Sequence, residues 1–255
     1  MHTTFDTCLG QFEAVIERSR QEKDRVGLFA AMYADVTRSV RAGCANGTFA
    51  EPLRMERFVT AFAARYFVAH NAWRDGQRAP AVWTSAFEAA QRWRPIVAQH
   101  LLLGMNAHIN LDLAVVTAAL AGGPEALPAL RPDFDAVNDV LGTMVDPAQR
   151  ALSAASPWFG LVDKIGARSD EALINFSLRR ARQQAWSLAE RLVALPADQQ
   201  AAEIDRVDRT VDGIAGRILR PGAALSTGML VVRVREPWRA TRALEVVTAG
   251  PAHSP

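Results

Sequence analysis

His108 and Asp112 stand four residues apart in a stretch that carries no other formal charge between Arg94 and Glu125. On an α-helix that spacing puts an imidazole and a carboxylate one turn apart on one face. Two chemistries use such a pair. Both groups can ligate one metal ion, or the carboxylate can orient the imidazole as a general acid or base. A satisfied core hydrogen bond has the same signature. Asn106, Asn110 and His100 lie in the same run of Leu, Ile, Val, Met and Ala. Polar groups in an apolar interior must be hydrogen-bonded, metal-bound or put to use.

At about 100° per residue, Asn110 falls about 40° from Asn106, and His108 and Asp112 fall about 200° and 240° away. The helix therefore carries polar groups on two opposed sides, unlike a surface helix with its single polar face. This predicts a helix packed on most sides in the middle of a bundle. The His108–Asp112 side is the candidate catalytic face, and Gly104, one turn earlier, leaves room there for a ligand or a close backbone contact. The Asn side reads as substrate contacts or, alternatively, as bridges between helices. His70 and His100 are the other interior histidines. His70, His100, His108 and Asp112 make a plausible set for one divalent metal, zinc, iron or manganese. Tyr66, one turn before His70, and Asn138, Arg182 and Trp186 further along are candidate substrate contacts. Arg182 and Trp186 have the spacing for guanidinium on indole, and equally that of arginines along an amphipathic surface.

These residues need helices to hold them. Apolar stripes at helical spacing run through Phe12–Ile16, Leu28–Val40, and a segment opened by Pro52 and closed at Asp75-Gly76. Pro80 to Trp93 predicts another helix. The central one follows Pro95 and stops at Gly122-Gly123-Pro124. Asp133 reads as the N-cap of the next. Pro157–Gly160 reads as an apolar turn, and Ser169 as the cap of a long helix ending at Pro196. Asp198–Leu219 reads as a charged amphipathic helix. Leu230–Val234 alternates like a strand but reads better as helix. The expected fold is all-α: one domain over residues 1–249, about eight to ten helices around a buried central helix, with a disordered tail at 250–255.

Composition narrows the function classes. A net charge of +2 on 255 residues gives no electrostatic case for nucleic acid or an anionic membrane. Only Lys23 and Lys164 are lysines, which reads as coding bias. Two cysteines, Cys8 and Cys44, make neither a disulfide framework nor a zinc motif. The run 96–121 is long enough to cross a bilayer, but Asp112 and its polar neighbours would make that costly. The first residues lack the basic-then-apolar pattern of a signal peptide, so the expectation is a cytoplasmic chain without a membrane span. No Gly-rich phosphate loop, serine-nucleophile elbow or HExxH is present, and no nucleotide cofactor is expected.

The segment Gln99–Leu113 resembles the signature of a helical family of unknown function, G-M/I-N-A-H-I-N-x-D-L. Asp24-Arg25, Phe29, Met32-Tyr33, Val36-Thr37 and Phe62-Ala-Ala-Arg-Tyr66 resemble its upstream motifs. Asp133-Phe134, Val137-Asn138, Arg182 and Trp186 resemble its downstream ones. That resemblance implies the all-α fold and assigns no activity. More distantly, His108-x-x-x-Asp112 is similar to an element of zinc-dependent phospholipase C and the P1-type nucleases. Ala118 stands where those enzymes carry a further His, and the chain does not start with their ligating Trp, so this likeness implies one or two metals at most. The leading expectation is a small-molecule enzyme, hydrolase-like and metal-dependent. The alternatives are a metal-free cyclase, isomerase or lyase acting on a largely apolar substrate, and a non-catalytic helical binding protein.

Overall fold

A computed structural model describes residues 4–155 and 178–236. Every regular element in them is helical: α1 (Phe5–Glu22), α2 (Val26–Ala45), α3 (Pro52–Arg74), α4 (Ala81–Ala90), α5 (Val97–Ala107), α6 (Leu113–Ala121), α7 (Arg131–Ala155), α8 (Leu178–Ala194), α9 (Ala197–Leu219) and α10 (Ala223–Arg235). A π-turn, His108–Asp112, joins α5 to α6 without a break, and a 3₁₀ turn, Leu127–Leu130, leads into α7. The all-α bundle expected from the sequence is the fold observed. The turn at 157–160, the start of the helix capped by Ser169, and the tail lie outside the described residues.

The corners follow from local chemistry. Thr4 caps α1 by accepting from the amide of Thr7. Lys23, in the left-handed region at φ 60°, ends it. Asp24 then accepts from the amide of Val26 and the Ser19 hydroxyl, and Ser19 accepts from the amide of Gly27, so two side chains start α2. Pro52 sits in the first turn of α3, where its missing N–H costs nothing. Gly122, at φ 68°, stops α6. Helix α4 ends at Ala90, short of the expected Trp93. The carbonyls of Arg92 and Pro95 accept instead from Arg25, and that of Trp93 from Arg233.

The joined helix Val97–Ala121 is the centre of the bundle. It is long and apolar enough to cross a membrane, and 72% of its most apolar window is buried among the other helices. Helices α2, α4 and α9 pack against α5, and α3 and α8 against α6. The buried apolar core is continuous from Phe5 to Ile218. Cys8 and Cys44 are free thiols. The 230–234 run is helical, part of α10.

Asp133 is not the cap that its position suggests. It lies within the first turn of α7 and accepts from the amide of Ala50 at 2.7 Å and from Arg54 at 2.8 Å. The carboxylate fastens the α2–α3 corner to α7, a tertiary role that local spacing does not reveal.

Candidate functional site

The π-turn decides what the central motif does. The amide of Leu113 donates to the carbonyl of His108, five residues back rather than four. One extra residue in the turn offsets everything after it from the α-helical wheel. His108 and Asp112 therefore diverge. His108 enters an aromatic cluster from α2 and α3, while Asp112 turns to Arg65 on α3 and Trp83 on α4.

Asp112 is fully buried. Its Oδ1 accepts from Arg65 Nε at 2.5 Å and its Oδ2 from the Trp83 indole at 2.8 Å. Both carboxylate oxygens are thus engaged away from His108, which corrects the expected direct pairing of the two. Burial raises the Asp112 pKa, and Arg65 and Trp83 oppose that only in part.

The His108 ring stacks on Phe62, with centroids 3.6 Å apart and planes within 11°. Tyr33 lies 4.1 Å away on centroids, and Phe29 meets the ring edge-on at 5.7 Å. Burial, reinforced by the charge of Arg182, pulls the His108 pKa well below its ordinary value, so the ring is neutral at neutral pH. His108 Nδ1 and the Tyr33 hydroxyl are both buried, and neither has a hydrogen-bond partner among the described residues. Burial likewise holds the Tyr33 phenol well above its usual pKa, with Cys8 and Asp112 adding to the shift.

Arg182 is buried at 4% exposure and is not the surface arginine that its helix pattern allows. Its Nε donates to Asn138 Oδ1 at 2.9 Å, and it also bonds the Phe134 carbonyl. Its guanidinium lies 4.4 Å over the Phe134 ring. Asn138 thus holds Arg182. Trp186 takes Arg131, not Arg182, over its ring at 4.7 Å and donates to Glu190.

Asn106 and Asn110 form a bridge. Asn110 donates to Asn106 at 2.9 Å, and Asn106 donates to the Val211 carbonyl on α9 at 3.0 Å. This is the helix-bridging alternative among the two roles that the sequence left open.

The proposed metal set is not brought together. Among the described residues no group of three or more His, Cys, Asp or Glu side chains has metal-binding geometry. His70 stacks on Tyr66 at 6.0 Å and meets Phe87 edge-on. His100 is buried beside Arg25 and Arg233, whose charges oppose any cation there. With Asp112 held by Arg65 and Trp83, His108 has no acidic co-ligand among the described residues. Gly104, expected to clear space for a ligand, is filled by Phe29: a Cβ there would lie 2.3 Å from two ring carbons. Tyr66 is fully buried among Phe29, Trp83 and Phe87, and its hydroxyl has no partner among the described residues.

Tyr33, Phe62, Arg65 and Trp83 were not singled out as site residues by spacing. Tyr33, Phe62 and Arg65 do fall within the upstream motifs Met32-Tyr33 and Phe62–Tyr66. That was the available signal, and it became readable only once α2 and α3 were seen to pack on the π-turn.

Neither nitrogen of His100 makes a well-formed hydrogen bond among the described residues, and the Pro95 backbone only weakly supports its charged form. Burial, then Arg25, pulls its pKa down to about 3. A base with a depressed folded pKa stabilises the fold above its unfolded pKa, and that contribution is lost as pH falls. The expected outcome is a loss of stability that begins below about pH 6.5 and continues toward pH 3. Urea midpoints measured across that range check it, and His100→Leu should flatten the profile.

A family model described as "Family of unknown function (DUF5995)" matches residues 5–221. No curated protein and no solved structure matches the chain.

Proposed function

The chain belongs to the DUF5995 family of unknown function, and we propose that it is a metal-free small-molecule enzyme of the isomerase, lyase or cyclase type, with its reacting centre at His108 and Tyr33. The observation that carries this reading is a pair of buried polar atoms without a partner among the described residues, His108 Nδ1 and Tyr33 Oη, on rings 4.1 Å apart. Each such group costs about 1–3 kcal/mol when left unsatisfied. Two of them together at a π-turn, a deformation frequent at functional sites, are accounted for if a ligand atom completes them.

The chemistry follows from protonation states. A neutral imidazole and a neutral phenol can both donate a hydrogen bond to one substrate oxygen. Neither is charged in the ground state, so negative charge that develops on a carbonyl or enol oxygen meets preorganised donors. Buried Arg182, close enough to depress the His108 pKa, supplies positive potential on the same side. Phe29 and Phe62 form apolar walls around His108, suited to a largely hydrocarbon substrate. Asp112 acts at a distance, through the Arg65–Trp83 anchor that fixes the π-turn.

Tyr33→Phe distinguishes this from a structural role. Removing an unpartnered buried hydroxyl is expected to leave stability unchanged or to raise it by up to about 1 kcal/mol, as measured by urea denaturation. In a thermal-shift screen of neutral carbonyl compounds, hits on the wild type should disappear in Tyr33→Phe and in His108→Leu. A Tyr33→Phe protein destabilised by more than about 1 kcal/mol would show that the hydroxyl has a structural partner, and the reading would fail.

A further inference from the structure

Arg65, Arg78, Ala79, Pro80, Ala81, Leu111, Ile204, Asp205, Asp208 and Arg209 enclose a cleft of about 310 Å³ between α3, the start of α4, and α9. It shares no lining residue with the surroundings of His108. Its volume falls in the range of small-ligand sites, about 300–1,000 Å³.

The charges in this cleft are unequally committed. Both oxygens of Asp208 are occupied, accepting from the amides of Ala81 at 2.7 Å and Val82 at 3.0 Å, so this carboxylate serves as the cap of α4 from another helix. Asp205 approaches Arg78 only to 3.9 Å, with both side chains largely exposed. Arg65 gives its Nε to buried Asp112 and makes no other hydrogen bond among the described residues. The terminal edge of its guanidinium, the NH1/NH2 pair, is left for a second acceptor, and the side chain is 30% exposed at the cleft. Arg209 is exposed and makes no hydrogen bond or ion pair among the described residues. Two guanidinium groups are thus available beside the apolar surface of Pro80 and Ile204.

We propose that this cleft binds a small carboxylate with a short branched apolar body. The carboxylate would sit between the free edge of Arg65 and Arg209, and the hydrocarbon against Pro80 and Ile204. A guanidinium edge matches the two oxygens of a carboxylate in a planar, bidentate fit. Arg65 is already fixed by Asp112 at its Nε, so little further side-chain entropy is lost when the ligand binds. Asp205 and Asp208 set a selectivity rule: they repel a dianion more than a monoanion, which favours carboxylate over phosphate.

Two-dimensional amide NMR of the full chain tests this, with 3-methylbutanoate, its neutral amide 3-methylbutanamide, and inorganic phosphate as probes. The expected result is saturable shifts with 3-methylbutanoate at Ala79, Ala81, Leu111 and Ile204, and none with the amide. Arg209→Ala, at an exposed residue outside the core, should weaken binding about tenfold, whereas Arg38→Ala on α2 should not. No saturable shift with 3-methylbutanoate, saturable binding of phosphate alone, equal binding of the amide, or unchanged affinity in Arg209→Ala would each overturn the proposal.

Discussion

Replacing Arg65 by Met is expected to cost about 3–5 kcal/mol of stability at neutral pH, because it leaves the Asp112 carboxylate buried without its charged partner. Asp112→Asn should cost far less. Burial already opposes the charge of Asp112 more than Arg65 and Trp83 support it. An Asn can still accept from Trp83, and Arg65, 30% exposed, can turn to water. The asymmetry between the two ends of one ion pair is the signature to look for. pH supplies an independent check. The folded pKa of Asp112 is raised above its unfolded value, so its contribution is most favourable when it is protonated and declines as pH rises through the folded pKa. Removing Arg65 raises that pKa further. The deficit of Arg65→Met should therefore shrink as pH is lowered from neutral toward the unfolded aspartate pKa of about 3.9, as read by urea denaturation of variant and wild type in parallel. A pH-independent deficit would mean that Arg65 contributes through packing of its stem and not through Asp112.

Gly104→Ala is expected to destabilise the fold by about 1–3 kcal/mol, despite the roughly 1 kcal/mol that Ala ordinarily gains over Gly within a helix. The added methyl would lie 2.3 Å from the Phe29 ring and 2.9 Å from the Phe29 Cβ. The ring can rotate aside, but a Cβ moves only with its backbone. Phe29 also touches Tyr33, Tyr66, Trp83 and His108, so the displacement would spread into the candidate site. Phe29→Leu in the same chain should recover part of the loss. The two substitutions should be non-additive by at least about 0.5 kcal/mol, since they share one contact. A fully additive pair would place the cost of Gly104→Ala elsewhere.

How far the site could be read from the residues varied with the range of the interaction. Helix existence was legible throughout, because the 3.6-residue period of Phe12–Ile16, Leu28–Val40 and the Pro52 helix reports burial directly. The centrality of the 97–121 helix was legible too, since an uncharged run with polar groups on two sides has few other places to sit. For Asn106 and Asn110 the spacing put the two side chains close together but left substrate contact and helix bridging both open, and the Val211 carbonyl on α9 decided for the bridge. The Asp133 cap did not survive, because the carboxylate found better donors, Ala50 and Arg54, across the bundle. The pairing of His108 with Asp112 failed because the wheel assumed an unbroken α-helix, and the π-turn removed that assumption at the residues in question.

The amino-acid sequence by itself determined the helical class, the buried central helix and the segment in which the polar residues concentrate, because periodicity and charge exclusion are local properties of the chain. Only the tertiary structure decided which partner each of those polar groups takes. Arg65 and Trp83 lie 47 and 29 residues from Asp112 along the chain, Tyr33 and Phe62 reach His108 from two other helices, and Arg182 acts on it through its charge from a third. Which of these meets the π-turn depends on how α2, α3, α4 and α8 pack around it. That packing is settled by shape and burial across the whole core, which no local spacing records.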